Sequence, residues 1–170
     1  DGVVIGSLNA DGTLNTEQMQ EMMEAAGSCA VTMHRAFDVC ADPFEALKKS
    51  AELGVDTILT SGQEADCLAG CGLLKKLVQL TDQNWSDSRR VTILAGAGVT
   101  SANIAEIAKK TGVRAFHMSG KRLLESGMRY RNERVHMGLG SLSEFECYRT
   151  DEAEIRRAAE ILRTLGEDGR

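Results

Sequence analysis

Three side chains that can hold or move charge stand within five positions of one another, His34, Arg35 and Asp38 in the run AVTMHRAFD. The run begins as a strand, with Val31 and Met33 alternating with Thr32 and His34, and it ends in charge. Histidine is the side chain whose ordinary pKa lies nearest neutrality, so His34 is the first candidate for acid–base work. Asp38 is spaced to orient that imidazole. Equally, Arg35 and Asp38 can pair with each other, leaving a core strand followed by a salt-linked turn. Spacing alone keeps both readings open.

Three further words stand at the ends of apolar runs: Thr60-Ser61-Gly62, Gly96-Ala97-Gly98 and His117-Met118-Ser119-Gly120. Glycine lets a backbone come close to a ligand, and the amides that open a helix can face an anion. Ser101 reads as the cap of a helix running from about Ala102 to Lys110. Ser61, Gly62, Gly96, Gly98 and Ser119 are therefore candidate anion holders. Gly96 to Gly98 is not a dinucleotide fingerprint, because no third glycine opens the helix. His117 and Ser119 share one face of their strand. If His34 and His117 both point inward, their imidazoles approach one site.

All three histidines neighbour a methionine, at Met33-His34, His117-Met118 and His136-Met137. Thioether and imidazole both suit copper. Adjacent strand residues point to opposite faces, however, so a strand pair cannot close on one ion. Of the five cysteines, only Cys67 and Cys71 are close enough to share a helix face. The bland reading is two small apolar residues. An odd cysteine count is no disulfide framework and fits a reducing cytosol.

The elements that must position these groups alternate. Strands are expected at Val3–Leu8, Ala30–His34, Val55–Thr60, Val91–Ala95 and Val113–Met118. Helices are expected at about Thr16–Ala26 (capped by Asn15 or Thr16), from Pro43 to Gly54, at Leu68–Thr81, after Ser101, and at Asp151–Leu165. Phe44, Leu47 and Ala51 are read as one buried helix face. Asp82–Arg90 reads as an exposed connection, Lys121–Arg149 as polar and irregular, and Gly166–Arg170 as a fraying tail. Repeated βα units imply a parallel sheet. A doubly wound sheet and a (β/α)₈ barrel both fit, and in either all the polar tips lie on one edge.

The 170 residues suit one domain, residues 1–170, and 42% hydrophobic content suffices for a core. A net charge of -5 and the lack of a basic run argue against nucleic acid. No apolar run approaches the roughly 20 residues of a membrane span. No secretory signal is legible at the start. The sequence opens without Met on Val3-Val4-Ile5 and reads as starting inside a longer pattern.

The words HRAFD, ILTSG, AGAGV, FHMSG and MRYRN, in this order and spacing, resemble the CutC family, named as copper homeostasis proteins. The resemblance runs from Asp1 to about the final helix and matches the family from its fourth βα unit onward. It implies a (β/α)₈ TIM-barrel fold, here an incomplete barrel of about five parallel βα units plus a C-terminal helix. It also implies a cytoplasmic dimer or tetramer associated with Cu(I) binding and copper handling. The family segments with cysteines proposed as copper ligands have no counterpart here, so the metal residues stay unknown. The cleft residues carried over are His34, Arg35, Asp38, Ser61, Gly62, Gly96, Gly98, His117 and Ser119, with Arg131 and Asn132 weaker. The alternative is a barrel enzyme acting on a small anionic or phosphorylated metabolite, with His34 as acid/base and no organic cofactor. Whether the chain is an enzyme is left open. Open strand edges invite a homo-oligomer.

Overall fold

The computed structural model describes residues 1–84, 90–135, 143 and 145–168. Strands β1 (Gly2–Ile5), β2 (Ala30–Met33), β3 (Thr57–Thr60), β4 (Thr92–Gly96) and β5 (Ala115–His117) form one parallel sheet in the order β1-β2-β3-β4-β5. Helices α1 (Thr16–Ala26), α2 (Pro43–Leu53), α3 (Cys71–Asn84) and α4 (Ile104–Thr111) connect them. That order decides between the two architectures. A doubly wound sheet reverses at a switch point. Here every strand lies beside its chain neighbours, and right-handed crossovers then place all the helices on one face. This is the winding of a (β/α)₈ barrel, present as a five-strand arc.

Local chemistry explains the helix boundaries. The Asn15 side chain accepts from the Gln18 amide at 3.0 Å and caps α1. Asp42 accepts from the Phe44 and Glu45 amides, with Pro43 in the first turn of α2, where its missing N–H costs nothing. Gly54 ends α2 in the left-handed region at φ 90°, which favours glycine.

The sheet is two-faced. Val31, Met33, Ile58, Ile93 and Ala95 are buried on the helix side, against Met19, Leu47, Leu74, Leu77, Ile104 and Ile107. On the other side Val4, Thr32, Thr57 and Thr92 stand in one row of register. Val4 is 63% exposed there. This is the face that would line a barrel interior, and the arc leaves it open. Among the described residues, no helix is long and apolar enough to cross a membrane.

Several expectations are corrected. Lys121–Arg149 is not simply irregular: β6 (Lys121–Glu125) and β7 (Glu146–Thr150) pair antiparallel from Lys121↔Thr150 to Glu125↔Glu146. KRLLE and ECYRT hide this pairing, because neither shows clean apolar alternation. The final helix α5 (Glu152–Asp168) continues to Asp168, into the tail expected to fray, and residues 169–170 lie outside the described residues. α3 begins at Cys71 instead of Leu68, because Asp66 accepts from the Leu68 and Ala69 amides and holds a separate turn. α4 begins at Ile104, and Ser101 does not cap it. Phe44 is exposed, and Ala46 takes its place beside Leu47. Residues 85–89 of the expected polar connection lie outside the described residues, as do His136 and Met137.

Candidate functional site: a cationic cleft at the sheet edge

The parallel sheet brings all the polar strand ends to one edge, but they form two different places. The first is a closed hub at the ends of β2 and β3. After His34 the chain turns into a 3₁₀ helix, Arg35–Val39. This swings Asp38 back under the tip of β3. Its carboxylate accepts from Arg35 Nε at 2.6 Å, Thr60 Oγ1 at 2.5 Å, the Ser61 amide at 3.0 Å and the Gln63 amide at 3.3 Å. Burial pushes the Asp38 carboxyl up, but the Thr60 hydroxyl, the Arg35 guanidinium and the two amides together hold it below the usual range. Arg35 and Asp38 therefore pair, and Asp38 does not orient His34.

Ser61 and Gly62 belong to the same hub. Ser61 is fully buried, and its hydroxyl donates to the Glu64 carbonyl at 2.6 Å and accepts from Arg35 at 3.1 Å. The Gly62 amide donates to Thr60 Oγ1. A Cβ on Gly70 would lie 1.8 Å from the Ser61 carbonyl oxygen, so two backbone segments cross here at closest approach. His34 accepts from the Ala36 amide through Nδ1 and lies over Gly6, where a Cβ would meet the ring at 2.6 Å. It shares the inner face with Thr32, as alternation predicts. It does not converge with His117: β2 and β5 are three strand spacings apart, roughly 14 Å along the sheet.

The second place is a cavity of about 650 Å³ between β4, β5, β6 and α5. It gathers Arg35, Gly96, Gly98, His117 and Ser119 of the expected set. Gly96 and His117 are register partners, and a Cβ on Gly96 would fall 3.3 Å from that of His117 and 2.4 Å from Leu59 Cδ1. Ala97 sits at φ 97°, an unusual conformation for a non-glycine residue, where its carbonyl accepts from the Cys67 amide. Arg131 and Asn132 lie elsewhere, Arg131 paired with Glu125 at 2.7 Å and stacked on Phe145.

The cavity also holds residues that sequence reasoning missed: Lys121, Arg122, Asp151, Glu154 and Arg157. With Arg35 already paired to Asp38, the three cations Lys121, Arg122 and Arg157 stand against two carboxylates and leave a small excess of positive charge. Arg122 faces Asp151 at 3.9 Å, and Lys121 lies over the Tyr148 ring at 4.2 Å. Glu154 accepts from the Ser101 amide at 2.6 Å, the Ser101 hydroxyl at 2.8 Å and Arg157 at 2.8 Å. Those donors, the Ser101 amide first, hold its carboxyl below the usual range. The missed signal is the basic pair Lys121-Arg122 following Ser119-Gly120, which extends the polar tip of β5 into the hairpin.

Comparison with known proteins gives the family. The CutC family model matches residues 1–122. The chain belongs to the CutC family. A CutC family protein of Bacteroides fragilis is 46% identical over 163 residues, covering 95% of this chain. Others from Parabacteroides distasonis and Salmonella agona are 44% and 41% identical over 91% and 95% of the chain. The chain spans 62% of the length of each of these relatives. A crystal structure from Streptococcus agalactiae, named for a copper homeostasis protein CutC, superposes with a TM-score of 0.60 at 27% identity, over 67% of this chain and 53% of that one.

For a CutC family chain the donor set for copper can be tested directly. Cu(I) favours thiolates and thioethers. Burial pushes the Cys40 thiol up to about 11 and the Cys67 thiol up to about 12. Cys67 precedes α3, and Cys71 opens the helix with its thiol donating to the Cys67 carbonyl at 3.3 Å. Met33 sulfur accepts from Ser50, on the face opposite His34. Among the described residues no three His, Cys, Asp or Glu side chains converge as a metal site. The described thiols and carboxylates therefore do not by themselves assemble a three-ligand copper centre.

Proposed function

We propose that this CutC family chain serves cytosolic copper homeostasis through a cleft that binds a small anionic molecule, a phosphate monoester being the best fit. The observation that carries this reading is the convergence of Gly96 to Thr100, His117, Ser119-Gly120 and four cationic side chains on one cavity. Guanidinium groups and backbone amides suit a phosphate's oxygens. The rim beyond the last strands of a (β/α)₈ barrel is a common phosphate site. If the bound molecule is turned over, His117 is the acid–base group within the cavity, and Arg35 reaches it from the hub. A panel of phosphate monoesters should raise the melting temperature of the chain; the absence of a shift with every ester sinks the reading.

The name of the S. agalactiae structure supports a second reading, in which the chain itself carries Cu(I). Stoichiometric Cu(I) uptake under reducing conditions, above that of an unrelated thiol protein, would favour it. The terminal strands of the sheet order, β1 and β5, and the exposed inner face are motives for a dimer or tetramer. Light scattering behind gel filtration tests that assembly, and a monomer at all concentrations refutes it.

A further inference from the structure

Glu154 is placed where a ligand's anion would be expected. It reaches back 53 residues to the turn after β4 and accepts from both the amide and the hydroxyl of Ser101. Its second oxygen also accepts from Arg157. An amide, a hydroxyl and a guanidinium converging on two oxygens form a complete oxyanion cradle. Arg157 and Glu154 are part of the cavity wall, and Ser101 follows Thr100, the last wall residue of the β4 turn. Its side chain keeps 19% exposure, so an incoming group can reach it from solvent. The other carboxylate of the wall, Asp151, stands in the same turn of chain and faces Arg122. The start of α5 thus supplies both anions that partner the cavity's cations.

We infer that Ser101 and Arg157 form the phosphate seat of this cavity and that Glu154 occupies it as an internal stand-in until a phosphate group displaces it. The inference rests on the anionic-ligand reading above and adds the residues that hold the charge. A phosphate brings three strong acceptor oxygens and up to two charges against the single charge of Glu154, so it can win the same donors. Displacement frees the start of α5 from the β4 turn, which couples binding to the seating of that helix.

Titration with inorganic phosphate tests this on the whole chain. Glu154→Gln removes the competing charge and should lower the phosphate dissociation constant about tenfold. Ser101→Ala in the Gln variant should cancel most of that gain. Should the Gln variant unfold, Glu154→Asp, one methylene shorter, replaces it with the same expected direction. Wild-type binding that neither Glu154→Gln nor Ser101→Ala alters overturns the seat while leaving the cleft reading intact. An equal gain for acetate overturns the assignment to phosphate. No phosphate binding by any variant, together with no thermal shift from any ester, sinks both readings.

Discussion

The hub under β3 and the cavity beyond β5 are built from the same kinds of residue and do opposite things. At the hub, Asp38 is buried and its donors are all internal, from Arg35, Thr60, Ser61 and Gln63. At the cavity, the charged groups are partly exposed, and their contacts range from Glu154 with Ser101 at 2.6 Å to Arg122 with Asp151 at 3.9 Å. A saturated polar cluster rigidifies a fold, whereas an open cationic one has capacity left for a ligand. A polar strand end is thus no guide to function until its donors are counted.

Breaking the hub should have the largest effect. Asp38→Ala removes a carboxylate whose side chain is 6% exposed and leaves a hydroxyl, two amides and one side of Arg35 without their partner. The expected loss is about 3–4 kcal/mol in chemical denaturation, because a buried hydroxyl and two amides lose their acceptor at about 1–3 kcal/mol each while Arg35, 46% exposed, regains water. A loss under about 1 kcal/mol would mean the cluster is solvated in solution. Gly70→Ala comes next. A Cβ there would lie 1.8 Å from the Ser61 oxygen and 3.0 Å from Gly62 Cα, both backbone atoms that cannot rotate away. A loss near 3 kcal/mol, the upper end for overpacking, is expected by the same measurement.

The pH profile sharpens the comparison from both sides. Asp38 is depressed in the fold, so its stabilisation is present above the unfolded value of about 3.9 and is lost as pH falls through the lower folded value. Cys67 is raised, so its contribution is complete below the ordinary 9.0 and is lost as pH rises toward about 12. Stability measured against pH should therefore lose its acid shoulder in Asp38→Asn and part of its alkaline decline in Cys67→Ala. An unchanged acid limb in the Asn variant would remove Asp38 as its cause.

Much of this was legible in the sequence, and the failures have physical reasons. Five βα units and the caps Asn15, Asp42 and Gly54 could be read because each is a local signal. Strand order could not, since periodicity carries no information on which neighbours pair. The inward turn of His34 followed from alternation, but its distance from His117 depended on that order. Glu154 was invisible because its partner Ser101 is 53 residues away and a glutamate at the start of a helix is ordinary. The β6–β7 pair was missed because charge interrupts its apolar pattern and its strands lie twenty residues apart.

The cavity variant should have the smallest effect on stability and the clearest effect on binding. Arg122 is half exposed and its contact with Asp151 is long, an ion pair of the kind worth well under 1 kcal/mol. Arg122→Ala should therefore shift the denaturation midpoint little. A charged hydrogen bond to a ligand's phosphate contributes more, and its loss should weaken phosphate-ester binding by about tenfold. Asp38→Ala compared at a temperature where it remains folded should reverse the ratio, with a large stability loss and a smaller binding loss passed on through Arg35. Equal effects of the two variants on both measurements would erase the distinction between a structural hub and a ligand cleft.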